Sequence, residues 1–192
     1  MRRLFLALPF ALLPLAVAQA AHDAHDAHAH HDEHASLSAH EHGAAQLNVA
    51  LEGQRLELAL ESPAMNLLGF EHAAASTADK AAVTHAQQQL QTPLALFGIP
   101  SAASCTIASQ ELHSPLFSEH ANQHTEHQNG SEHSDVDANY VLTCSKPEAL
   151  SAIDLSELFQ RFPATAKIQV QLIGPNGQQG AELTAAQPRL SF

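Results

Sequence analysis

The sequence predicts an α+β fold: a mainly antiparallel sheet built from hairpins, with a few short helices. Three observations predict it. Apolar and polar residues alternate over 45–62 with Glu52-Gly53-Gln54 in the middle, the pattern of a hairpin with one buried face. A second alternating pair, 167–173 and 179–184, flanks the turn Gly174-Pro175-Asn176-Gly177. The strand–helix–strand units that build parallel sheets do not recur. With 192 residues the chain has the length of one ordinary domain.

Arg2 and Arg3, the apolar run over 4–17 and Ala18-Gln19-Ala20 form the three parts of a secretory signal peptide, with cleavage expected after Ala20. No later stretch reaches the roughly 18 apolar residues of a membrane span, so no stable membrane insertion is expected. Residues 21–42 carry His22, His25, His28, His30, His31, His34, His40 and His42 between aspartates and glutamates, with Leu37 as their only large apolar residue. Nothing there repays the entropy of ordering, so the expectation is a disordered tail. A single domain, 43–192, follows.

Within it, Ala45, Leu47, Val49 and Leu51 share one strand face, and Leu56, Leu58 and Leu60 share another. Ser62-Pro63 opens a short helical turn with proline at its first position. Ser76-Thr77-Ala78-Asp79 fits a capping box and starts a helix to about Leu90, which Thr92-Pro93 ends. Strands are predicted over 105–108 and 139–145, with a His-rich loop insertion, 109–138, between them. His113, His120, His124, His127 and His133 lie in that insertion among Ser, Asn, Gln, Thr and Gly. Ser145-Lys146-Pro147-Glu148 is a further cap pattern. Asp154 is expected to cap a helix over 155–162 with Glu157 in its third position. After the second hairpin, 190–192 is expected as a final edge strand.

Histidine is the outlier of the composition: 15 residues, against one tyrosine and no tryptophan. Only His72 and His85 fall outside the tail and the insertion. Imidazole is neutral near pH 7 and is the commonest protein ligand for metals. Acidic residues outnumber basic ones 20 to 8, for a formal charge of −12. That balance suits a protein that attracts cations and argues against nucleic acid as partner, which needs a basic footprint. Imidazole and carboxylate suit Zn²⁺, and also Cu²⁺ and Ni²⁺. Ligands on disordered segments are ordered only on binding, so the tail and insertion are expected to form several weaker sites.

A more ordered site is expected at the roots of the first hairpin. The start of its first strand and the end of its second lie together, which brings His40-Glu41-His42-Gly43 towards Gly69-Phe70-Glu71-His72. His40, His42, Glu71 and His72 are the core candidates. Cys105 and Cys144 are the only cysteines. In an oxidising compartment an even pair is most simply a disulfide. The bridge would close a loop of about 40 residues, worth roughly 3–4 kcal/mol in the chain-entropy model. A two-thiolate zinc site is the competing arrangement, although the C-x-x-C spacing is absent. The common nucleophile, phosphate-loop, dinucleotide and H-E-x-x-H motifs are absent too, so no catalytic residues are assigned and the chain is not expected to be an enzyme.

In order, the chain shows an exported leader, the His-Asp tail, and His40-Glu41-His42-Gly43 running into Leu47-Asn48-Val49-Ala50-Leu51-Glu52-Gly53. Glu61-Ser62-Pro63-Ala64, Gly69-Phe70-Glu71-His72 and the cysteine pair around a His-rich insert come next. Phe159-Gln160-Arg161-Phe162-Pro163 and Pro188-Arg189-Leu190-Ser191-Phe192 complete it. This resembles the ZrgA-type zinc-regulated periplasmic proteins of Gram-negative bacteria, over essentially the whole mature chain. The resemblance implies a zinc-binding accessory in the periplasm that supports zinc uptake by an ABC importer. Its partner would be that importer or the importer's periplasmic binding protein. The competing reading is a sequestration or resistance protein for Cu²⁺, Ni²⁺ or Zn²⁺, and behind it a metalloenzyme.

Overall fold

A computed structural model describes residues 41–117 and 134–192. The expected leader and tail up to His40, and His120, His124, His127 and His133 of the expected insertion, lie outside the described residues.

The first hairpin is β1 (Ala44–Glu52) and β2 (Arg55–Pro63), paired antiparallel from Gln46↔Glu61 to Glu52↔Arg55. α1 (Ala64–Leu68) follows directly, so Pro63 is the last strand residue rather than the first helical one. α2 (Thr77–Leu90) starts on the predicted capping box. The Ser76 hydroxyl accepts from the Asp79 N–H at 3.0 Å, and the Asp79 carboxylate accepts from the Ser76 N–H at 2.8 Å. Those Ser76 hydrogen bonds hold the Asp79 carboxyl below its ordinary pKa. Thr92-Pro93 ends α2 and also starts the single turn α3 (Pro93–Leu96).

β3 (Cys105–His113) and β4 (Asp135–Cys144) are longer than the sequence pattern indicated and take in both ends of the predicted 109–138 insertion. Both run on because β4 is paired along its length with β2, and β3 with β4, from Cys105↔Cys144 to His113↔Asp137. A bulge between Ile107 and Ser109 interrupts β3. Cys105 and Cys144 form a cross-strand disulfide, with Cα atoms 3.9 Å apart. Neither therefore offers a thiolate, which removes the two-thiolate zinc site.

β5 (Ala152–Asp154) leads into α4 (Ser156–Arg161). Asp154 does receive the Ser156 N–H, at 3.0 Å, but the helix starts at Ser156, one residue later than predicted. Asp154 packs against Gly98 (φ +60°), where an added Cβ would meet the Asp154 Cβ at 2.6 Å. The second hairpin, β6 (Lys167–Gly174) and β7 (Gly177–Thr184), matches the alternation read from the sequence. β8 (Arg189–Ser191) is not an edge of the main sheet. It pairs with β5 in a separate two-stranded sheet.

The main sheet has six strands in the order β3-β4-β2-β1-β6-β7. β1 and β6 run parallel, and the other neighbours are antiparallel. The fold is thus α+β with a mainly antiparallel sheet. One face of the sheet, with Leu47, Leu58, Val136, Leu142, Ile168 and Leu172 all buried, packs against the apolar sides of α2, α3 and α4. Tyr140 reaches through this layer, and its hydroxyl donates to the Leu90 carbonyl at 2.9 Å. Its ring meets Phe97 edge-on, with centroids 5.4 Å apart. The other face carries alternate residues of the same strands and is exposed.

Candidate functional site

The register gathers one end of the sheet around the places where the two His-rich segments join the fold. β1 starts there, β2 and β3 end there, and β4 starts there, with His113, Asp137, Glu61 and Gln46 in one row across the strands.

The turn into β1 is tightly held. The Ala44 N–H donates to the Glu41 carbonyl at 2.9 Å, which puts His42 and Gly43 at the tip of a four-residue turn. Gly43 has φ +87°, the left-handed value that the third position of a type II turn demands. A Cβ there would also stand 3.4 Å from the Ala166 Cβ. The Gly43 carbonyl accepts from the N–H groups of Ala166 and Lys167 at 2.7 and 3.0 Å. Its own N–H donates to Asn66 Oδ1 at 2.7 Å. Asn66, buried on α1, donates Nδ2 to the Ala44 carbonyl at 2.9 Å and to Ser62 Oγ at 3.1 Å. One amide thus ties the turn under His42 to the exit of the hairpin.

Glu71 comes from the other side. α1 ends on Gly69 (φ +83°), whose N–H donates to the Met65 carbonyl at 3.1 Å. This left-handed cap turns the chain back towards β1. Ser134, the first described residue after the second His-rich segment, donates its hydroxyl to the Glu71 carbonyl at 3.1 Å. The Ser134 carbonyl accepts from the Ala64 N–H at 2.7 Å. As a result, His42 Nε2 lies 3.2 Å from Glu71 Oε1, with the carboxylate side chain 10% exposed and the imidazole 49%. Two zinc ligands about 2.1 Å from the ion at the tetrahedral angle stand about 3.3–3.4 Å apart. The pair is spaced as one edge of such a site.

Among the candidates read from the sequence, the structure brings together His42 and Glu71. His72 goes elsewhere: its ring stacks on Phe70 with centroids 4.8 Å apart, and its Nδ1 lies 3.1 Å from the Ala73 carbonyl. The reason is local. In an extended segment alternate side chains share a side. With Glu71 turned to His42, Phe70 packs partly on the core and His72 follows it. His113 ends β3, exposed, opposite Asp137. His40 lies outside the described residues. Among the described residues no group of three or more His, Cys, Asp or Glu is close enough to hold a metal ion. The described part of the site is therefore a donor pair, not a closed cage.

Sequence reasoning missed Asn66, Ser134 and the pair formed by Lys167 Nζ and Glu41 Oε1 at 3.1 Å. The hydrogen bond to Glu41, and then its charge, raise the Lys167 pKa. Only Asn66 left a signal: a polar residue inside the apolar run Ala64-Met65-Asn66-Leu67-Leu68.

Fold and site together define a small α+β domain that presents an imidazole–carboxylate pair where two His-rich segments meet its sheet. No curated protein matches the chain. Residues 39–192 match the ZrgA family of zinc uptake proteins, and the chain belongs to that family. A zinc-related role in uptake follows from that membership. The match takes in His40, His42, Glu71 and the insertion, and it begins after most of the His-rich tail. Among the described residues no helix is long and apolar enough to cross a membrane.

Proposed function

We propose that the protein is a periplasmic, non-enzymatic zinc accessory: its His-rich segments capture Zn²⁺, and the folded domain presents it to an ABC-type importer or that importer's binding protein. The observation that carries this reading is the 3.2 Å approach of His42 to Glu71 where both His-rich segments join the sheet. His40 precedes the pair in the chain by two residues, and His133 directly precedes Ser134. Further imidazoles are thus tethered within reach of a fixed first edge. Any ligand ordered only on binding loses conformational freedom at that step, whereas the turn under His42 and the segment carrying Glu71 are already fixed by hydrogen bonds. Zinc is the cargo here, so an affinity that permits release serves the role better than a closed four-ligand cage.

The test uses the mature chain and zinc titration against a chelator. One variant replaces His22, His25, His28, His30, His31, His34, His120, His124 and His127 with Asn. It should bind fewer zinc ions than the unaltered chain but keep one at the folded site. Adding Glu71→Gln should weaken that remaining ion by about tenfold or more, the scale for an altered ligand shell. Loss of all binding in the first variant would show that the folded site holds nothing.

A further inference from the structure

We propose that the exposed face of the six-stranded sheet is the docking surface for a cationic surface of the protein that receives the zinc. This rests on the delivery reading above and supplies the partner's chemistry.

The face is a depression of about 640 Å³ spread over β3, β4, β2, β1, β6 and β7. Among the described residues no element packs on it. Its composition is wrong for a face whose only task is to be solvated. Exposed sheet positions are best filled with Thr, Val, Ile and aromatic residues, and Asn and Ala are depleted there. Here the central strands carry Asn48, Ala50, Ala59 and Asn139, with Gln46 and Gln171 beside them. The alanines leave the centre hollow, so another chain can approach the backbone. The amides offer both donors and acceptors to whatever arrives. Ile173, 55% exposed, lies at one side of the depression and gives an apolar contact. A sequence that gives up local sheet propensity over several adjacent positions is spending stability on something else.

Charge selects the occupant. Glu57, Glu61, Glu111, Asp137 and Glu182 lie on this face, against Arg55 and Lys167. Both cations are already matched, Arg55 by Glu57 at 2.5 Å and Lys167 by Glu41 at 3.1 Å. The remaining carboxylates give the face a net negative field, which steers and orients a positive partner. Its one aromatic lining residue, Tyr140, is buried with its ring against Phe97 and its hydroxyl on the Leu90 carbonyl, so the depression offers no exposed stacking platform. Its end row meets the turn that carries His42, through Ala44↔Lys167. A partner seated here has its rim at the zinc site, as a handover requires.

The experiment follows zinc passing from the mature chain to the zinc-free binding protein of the zinc importer from the same cell, at low and at physiological salt. Two variants are compared with the unaltered chain. Ala59→Arg fills the hollow with a cation, and Glu111→Lys reverses a charge on the edge strand, where folding is least at risk. The expected result is zinc affinity within about twofold of the unaltered chain, with transfer slowed by roughly tenfold or more at low salt and less as salt screens the field. Equal transfer rates for all three proteins would overturn the docking surface and leave delivery standing. Slower capture of free Zn²⁺ with unchanged transfer would make the face a collector of the ion, and would also overturn the proposal. If the unaltered chain passes zinc no faster than it releases it to a chelator, the delivery reading itself fails, and the docking surface with it.

Discussion

Replacing Asn66 with alanine should loosen the proposed zinc site without touching either proposed ligand. Asn66 is 2% exposed and makes three hydrogen bonds, with Gly43 N, the Ala44 carbonyl and Ser62 Oγ. Each such bond contributes about 0.5–1.5 kcal/mol net, and a buried partner left unsatisfied costs about 1–3 kcal/mol. The Ser62 hydroxyl already has a contact to the Pro63 carbonyl and is the least affected. Gly43 N and the Ala44 carbonyl carry most of the cost. The alanine leaves a polar hole beside a half-exposed histidine, so water can enter and repair part of it. The expected loss is about 2–3 kcal/mol, near the upper end for one polar side chain. Urea unfolding of the zinc-free chain from Ala21 measures it, and an unchanged slope would show that the unfolded state is unaffected. The turn bearing His42 would also lose its tie to α1. Zinc held by the His42–Glu71 pair should then weaken by about ten- to a hundredfold, as when a ligand's supporting hydrogen bonds are removed. Stability within about 0.5 kcal/mol of the unaltered protein, together with unchanged zinc affinity, would refute the view that Asn66 holds this site.

Burial pushes the Tyr140 phenol well above its ordinary pKa of 10.0, so its contribution to stability is full below pH 10 and is lost as pH rises further. Tyr140→Phe should cost about 1 kcal/mol at neutral pH by removing the bond to the Leu90 carbonyl. By pH 11 the unaltered protein should lose about 1.4 kcal/mol that the variant keeps, so the gap closes and reverses slightly; a stability difference that stays constant from pH 8 to 11 in chemical unfolding would contradict this. Replacing Cys105 and Cys144 with alanine should cost roughly 3–4 kcal/mol, since the bridge spans 39 residues; thermal melts check it, and a change below about 1 kcal/mol would mean that the strand pairing alone closes the loop. Capture through neutral imidazole should weaken as pH falls through about 6.5, and equal zinc affinity at pH 5 and pH 7.5 would argue against it.

Much of the fold was legible because its signals are local. The alternation of Leu47, Val49 and Leu51 with Leu56, Leu58 and Leu60 specifies a hairpin from residues only a few positions apart. Ser76 and Asp79 write the start of α2 in four residues, and Gly174-Pro175-Asn176-Gly177 writes a turn. His42 and Glu71 were readable as neighbours for the same reason, since a hairpin returns the chain to where it began. His72 was misplaced as a partner because spacing along the sequence does not say which side of an extended segment faces the site.

Composition and local periodicity alone determined that this is an α+β domain with a histidine excess and one cysteine pair able to bridge. Only the tertiary structure decided that β6 lies parallel beside β1, that β3 and β4 run on into the insertion, and that β8 joins β5. It also decided that Asn66, 22 and 23 positions from its backbone partners, clamps the turn under His42. A strand's alternation fixes which face is buried but not which neighbour it pairs with. That choice, like the partner of a buried amide, is set by the packing of the whole core and by the need of each buried polar group for a hydrogen bond.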